Sequence, residues 1–212
     1  SPGFTGAPPD SLLGEASFDG NVTFPNMMAV VGMRRSDVRT SLGSSSGTAT
    51  GIPVTLHIDL ASLGNNCGPL SNYVVYLYSA DEAYRYSGYE APLLDQNPLR
   101  GYQVTNAQGR ATFITTFPGI GGVQYPHYHF VIFNNPAFAR NHLDATFNSQ
   151  VVLPKAASTQ VYATAGYEVS LSRVWDWESS TAYQADLPLL ADTVTGNTSG
   201  GFIVTKRIVL NV

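Results

Sequence analysis

HYHFVIF, residues 127–133, is the stretch whose reading decides the fold. As a β-strand its period of two places His127 and His129 on one face, with roughly 7 Å between their Cα atoms. Tyr125 and Phe133 fall on that face too, while Tyr128, Phe130 and Ile132 point the other way, into a core. Two imidazoles so placed can converge on one metal ion, or they can be an ordinary hydrogen-bonded or surface pair. Imidazole nitrogen suits zinc, copper, iron or nickel, so the pair by itself names no metal.

Working outward, similar short alternating or β-branched runs flank this strand. They are MMAVV (27–31), IPVTLHIDL (52–60), YVVYLYSA (73–80), YQVT (102–105), ATFITTF (111–117) and ATFNSQVVL (145–153), with turn signals such as NAQGR and NNPAF between them. FIVTKRIVLNV (202–212) alternates around Lys206, as expected of one covered face and one exposed or edge face. The pattern predicts an all-β protein, a mostly antiparallel β-sandwich formed by residues 25–212, preceded by an extended N-terminal arm over residues 1–24 that is rich in Gly, Pro, Ser and Asp. Helix is expected only in short pieces near 69–72, 137–144 and 181–190.

The composition narrows the function. With 212 residues and 43% hydrophobic content, the chain can bury a full core. A formal net charge of −4, a charged fraction of 12% and scattered Lys and Arg argue against nucleic-acid binding. No apolar run reaches the length needed to cross a bilayer. The chain opens SPGFTGAPPD without an initiator Met, which implies a processed or trimmed N-terminus, and sequons at Asn21 and Asn197 fit a secreted protein or one that passes through a secretory pathway. Cys67 is the single cysteine; it forms no internal disulfide and is expected to be a small buried hydrophobe. The sequence does not specify an oligomeric state.

YSADEAYRYSGY (78–89) reads as a strand running out into a loop over a pocket. Tyr84, Tyr86 and Tyr89 in it can be metal ligands, phenolic proton donors or stacking surfaces. A phenol titrates near 10, so a phenolate ligand at neutral pH requires a strongly Lewis-acidic ion such as Fe(III). Asp81 and Glu82 are acid or base candidates in the same loop. His57 is expected to be an ordinary strand histidine and His142 a loop residue. Trp175 and Trp177 lie on one side of any extended segment, where they either roof an aromatic ligand or pack a late loop onto the core.

The strings CGPLSNYVVYLYSADEAYRYSGY (67–89), LRGYQVTNAQGRATFITTFPG (99–119) and PHYH (126–129) together resemble the intradiol ring-cleavage dioxygenases, particularly small secreted members. The resemblance implies a β-sandwich that binds non-haem Fe(III) through two tyrosines and two histidines. It matches Tyr86 to the first ligand tyrosine and His127 and His129 to the two histidines. Arg34 and Arg35 fall in a shared RSD element, and Arg100 in the shared LRG element is expected to be structural. Where the family has its second ligand tyrosine this chain has Gly121, and where the family has an arginine against the substrate it has Gln124.

These departures keep several functions open. One is a divergent ring-cleaving enzyme with Tyr86, Gln124 and Tyr125 as catalytic candidates and Tyr86, His127 and His129 as metal ligands. The ion would be Fe(III), with copper or zinc as alternatives and a metal-free site also open. The others are a metal-independent cyclase or isomerase of secondary metabolism in the same pocket, and a secreted non-catalytic binding protein. Loss of the tyrosine at Gly121 is expected to free space for a bulkier, less acidic aromatic or polyketide-like substrate and to make simple catechols poor substrates.

Overall fold

The structure, a computed structural model, describes residues 16–18, 22–24, 30–122, 125–136 and 145–212. Gln124, His142, Asn21, the helix expected over 137–144 and most of the expected arm lie outside the described residues. Within the arm, β1 (Ala16–Phe18) and β2 (Val22–Phe24) pair antiparallel.

The body contains β3 (Pro53–Ser62), β4 (Gly68–Pro69), β5 (Val74–Tyr78), β6 (Arg100–Val104), β7 (Arg110–Thr116), β8 (His127–Phe133), β9 (Phe147–Val152), β10 (Thr193–Asn197) and β11 (Gly201–Leu210). One sheet runs β10-β11-β3-β4 with β7 also paired to β3, and the other runs β6-β5-β8-β9. The pairs are antiparallel except β3 with β11, where Val54 lies opposite Phe202 and Ser62 opposite Leu210.

The alternation in the sequence is what fills the space between the sheets. Val54, Leu56, Ile58 and Leu60 of β3 face Val75, Leu77, Tyr128, Phe130 and Ile132 across a single core, joined by Phe113, Val204 and Leu210. Lys206 shares the inward phase of β11 and is buried. Its ammonium donates to the carbonyls of Pro188 and Leu190, each at 2.8 Å, so the strand keeps its register without leaving the charge unpaired. The exposed face of β11 carries Ile203, Arg207 and Val209, and the strand is interior to its sheet rather than at an edge.

Strict all-β is corrected by helices among the described residues: α1 (Lys155–Tyr162), α2 (Glu168–Leu171) and α3 (Thr181–Ala185), with 3-10 turns at Trp177–Ser179 and Leu187–Leu189. The KAASTQVY of α1 buries only Ala157, Ser158, Val161 and Tyr162, too few large apolar side chains to show a helical period. Near 69–72 the expected helix is replaced by β4 and a turn with Asn72 at φ 62°. At the end of the strand expected over 27–31, Val30 and Val31 lie in a bend and turn. Cys67 is exposed, not buried, because it occupies the β3–β4 turn at φ 60°. Among the described residues no helix is long and apolar enough to cross a membrane.

β5 and β8 are buried on both faces. Their outward residues Val74, Tyr76, Tyr78, Val131 and Phe133 form a second cluster with Met33, Ala80 and Tyr86. The segment 33–38 closes this side by bonding the edges of both sheets: Tyr102 N–H donates to the Met33 carbonyl and Ile114 N–H to that of Ser36. Arg35 secures it through its guanidinium, which donates to the carbonyls of Arg100, Asn97 and Thr40.

The alternation makes a testable contrast. Phe130→Ala, at a fully buried position, should lower unfolding free energy by about 3–5 kcal/mol. Ile203→Thr, at 50% exposure on the outer face of β11, should stay within about 0.5 kcal/mol of the parent in the same urea titration.

Candidate functional site

β8 sets the site by directing His127 and His129 away from the sandwich core into the second cluster. Cross-strand register places Tyr78 of β5 beside His129, and the two rings stack at 4.6 Å and 10°. The loop after β5 covers them, leaving His127 at 3% and His129 at 2% exposure. His127 Nδ1 lies 2.7 Å from the Tyr125 carbonyl, which can only accept, so the proton sits on Nδ1 and the lone pair of the neutral ring is on Nε2. That Nε2 is 3.0 Å from His129 Nε2, which is in turn 3.4 Å from the Tyr86 hydroxyl.

Tyr86 reaches this point because Asp81 builds the turn before it. One carboxylate oxygen accepts from the backbone N–H groups of Ala83 and Arg85, and the other accepts from the Arg85 guanidinium. Asp81 is therefore a turn-forming residue rather than the expected acid or base. Glu82 accepts from the Thr50 hydroxyl and lines, with Asp81, Arg85 and Gln96, a small crevice that contains neither histidine nor Tyr86. Within the turn Tyr84 adopts φ 63°, and its ring lies against Gly121. The space at Gly121 is thus filled from another part of the chain, and the expected room for a bulkier substrate is not there. Gly119 is needed for the same close passage: a Cβ there would come within 2.5 Å of the Glu82 carbonyl oxygen.

Burial controls the protonation of the group. It pushes His129 well below its ordinary value, helped by the neighbouring His127 and Arg100, and lowers His127 against the opposing carbonyl bond to Tyr125 and the charge of Asp186. It also pushes the Tyr86 phenol well up, reinforced by Tyr84 and Tyr78 and opposed by Arg100. Without a cation the three groups are all neutral near pH 7. Arg100 is fully buried behind them, its guanidinium 4.7 Å from the Tyr89 ring centre and 5.6 Å from that of Tyr78, and its Nε donates to Ser87. Burial raises Tyr89 to about 12.

Other expected residues lie elsewhere. Tyr125 is buried beside His127, but its hydroxyl donates to Asp186, so it orients His127 through its carbonyl and points its phenol away from the imidazole nitrogens. Trp177 is fully buried in the sandwich core and Trp175 packs against it, so neither roofs a ligand. His57 bonds Thr112 on β7, and Arg34 is exposed. The sequence did not signal Tyr78 as the ring stacked on His129, since that contact depends on cross-strand register, nor Asp186, which comes from the segment after α3.

The donor set can be tested against a metal ion. Two imidazole nitrogens sharing one ion at about 2.1 Å stand about 3.0 to 3.4 Å apart for angles between right and tetrahedral. The observed 3.0 Å lies in that range and equals an ordinary N–H···N bond as well. Among the described residues no three His, Cys, Asp or Glu side chains gather as a metal-binding group, so an ion here needs the Tyr86 oxygen as its third donor. His127, His129 and Tyr86 fit that requirement.

No family model matches the chain, and no curated protein matches it. Solved structures share its fold. An intradiol ring-cleavage dioxygenase from Tetranychus urticae is 22% identical, with a TM-score of 0.67 over 84% of this chain and 86% of that one. The dioxygenase domain of a dioxygenase–carbohydrate-binding fusion from Streptomyces sp. SirexAA-E is 20% identical, with a TM-score of 0.52 over 84% of this chain and 88% of the other. For 3-chlorocatechol 1,2-dioxygenase from Rhodococcus opacus 1CP the values are 16% and 0.53, over 77% and 61% of the respective chains. The chain therefore has the intradiol-dioxygenase type of β-sandwich.

Depressed histidines give a pH dependence of defined sign. The metal-free folded protein binds fewer protons than the unfolded chain once pH falls below the ordinary histidine value of 6.5, so the stability from these sites is complete above that value and falls below it. Urea midpoints should drop between about pH 7.5 and about pH 5, and the drop should be smaller in His129→Gln.

Proposed function

We propose that the chain is an enzyme that holds one metal ion between His127, His129 and Tyr86 and acts on a small aromatic or phenolic compound. The observation that carries this is the orientation of His127: its Nδ1–H is committed to the Tyr125 carbonyl, so its Nε2 lone pair points at His129 Nε2, with the Tyr86 oxygen alongside. The intradiol-dioxygenase fold supports a phenolic substrate class and ring opening as the reaction class. When bound, such an ion supplies Lewis acidity toward a phenolic hydroxyl.

The chain's own residues supply the rest. The Tyr125 carbonyl fixes one imidazole and the Tyr78 ring holds the other in plane. The loop carrying Tyr84, Tyr86 and Tyr89 shuts water from the donor atoms, which strengthens every electrostatic interaction among them. Arg100 places a buried positive charge behind Tyr86 and His129, favouring an anionic oxygen at Tyr86.

A second reading rests on the same distances. With its proton on Nε2, His129 donates to His127 Nε2, whose ring donates from Nδ1 to the Tyr125 carbonyl, a hydrogen-bonded chain that the Tyr86 hydroxyl, 3.4 Å from the same His129 nitrogen, joins only by sharing that one proton. That chain needs no ion and suits proton transfer in a cyclase or isomerase.

Elemental analysis of protein purified without chelator separates the two. The wild type should carry about one iron, copper or zinc ion per chain, and His127→Ala, His129→Ala and Tyr86→Phe should each weaken retention by at least about tenfold. A metal-free wild type that turns over a phenolic compound without consuming dioxygen would establish the proton-transfer reading instead.

A further inference from the structure

We infer that Tyr84 is a second phenolic oxygen donor of this centre and that Gly121 is the residue that admits it; the inference rests on the metal-binding reading above. A Cβ at position 121 would lie 2.1 Å from Tyr84 Cδ1 and 2.3 Å from Cε1, so no side chain at 121 is compatible with Tyr84 in its place. The backbone commits to this placement. Tyr84 holds φ 63°, a conformation that side chains seldom adopt, and the turn around it is held by Tyr84 N–H to the Asp81 carbonyl at 3.0 Å and by the two N–H bonds to the Asp81 carboxylate.

The placement brings a fourth donor to the group. The Tyr84 hydroxyl shares a hydrogen bond with the Tyr86 hydroxyl, and the rings meet edge to face at 5.8 Å. Two phenol oxygens and two imidazole nitrogens thus stand in one connected cluster, three from buried residues and the fourth from the half-buried Tyr84 on the solvent side. Tyr84 comes from within the Asp81–Arg85 turn and Tyr86 from the residue that follows it, so one six-residue stretch delivers both oxygens. A pair of phenolates beside two imidazoles makes a harder, more anionic donor set than a single phenolate does. A second anionic oxygen neutralises a trivalent ion better than one does, so Fe(III) is the ion whose binding tests the inference.

The test compares wild type, Tyr84→Phe, Tyr86→Phe, the double variant and Gly121→Ala, each loaded with Fe(III). Two quantities are read: the visible phenolate-to-iron charge-transfer band and iron affinity by chelator competition. Tyr84→Phe keeps the ring packing and removes only the oxygen. It should lose roughly half of the band and bind iron at least about tenfold more weakly, while the melting profile of the iron-free protein stays unchanged. The double variant should show no band. Gly121→Ala, by displacing the Tyr84 ring, should reproduce the loss seen in Tyr84→Phe, and it supplies the answer if Tyr84→Phe does not fold. A full band and unaltered affinity in Tyr84→Phe, with iron still lost from His127→Ala, would overturn this inference and leave the three-ligand centre standing. A wild type that binds no iron would remove this inference, and one that binds neither iron, copper nor zinc would remove the metal-binding reading with it.

Discussion

β8 is buried from both sides, and most of what is particular to this protein follows from that constraint. One face gives Tyr128, Phe130 and Ile132 to the sandwich core; the other sends His127 and His129 under a loop of tyrosines. Imidazoles removed from water cannot carry charge cheaply and cannot leave their nitrogens unbonded. They are therefore turned toward each other, toward a backbone carbonyl and toward a phenol, all within 3.4 Å. The loop after β5, the stacking of Tyr78 and the buried Arg100 are arranged around that requirement.

How much of this could be read beforehand depends on the range of the interaction. The two faces of β8 were legible because strand alternation is local, and the inward faces of β3 and β11 were legible for the same reason, although Lys206 concealed its own burial. The helix α1 was not, since its small polar residues give no stripe. Tyr86, His127 and His129 were named as ligands by resemblance alone, and the contacts of His129 with the other two come from the loop after β5 folding over β8. Gly121 shows the limit: in one dimension a missing side chain reads as vacant space, while in three dimensions the ring of Tyr84 already occupies it. The tryptophans stayed open in the sequence, because an aromatic pair that suits a ligand equally suits a core, and Trp177 is in the core.

The Asp81 turn shows how a surface loop achieves the precision of a strand. Its carboxylate is bonded to two backbone N–H groups and one guanidinium, its carbonyl accepts from Tyr84 and Gly119, and its N–H donates to Arg85. These bonds fix the turn to the 118–121 segment beneath it, so the phenols it carries have little freedom to wander. A site whose donors come from a strand and a tied turn is pre-organised before any ligand arrives, which limits the ordering entropy lost on binding.

The parallel pairing of β3 with β11 has a consequence for how the molecule assembles. β3 takes β7 on one side and β11 on the other, and Val54 meets Phe202 only after nearly all of the intervening chain has been laid down. Non-local strand pairing of this kind slows folding. Until β11 docks, β3 presents a bare row of amide and carbonyl groups beside Val54, Leu56 and Ile58, an adhesive edge for any neighbouring chain. During synthesis, the interval before β11 arrives is therefore when this protein is most exposed to aggregation and most dependent on being shielded from other copies of itself.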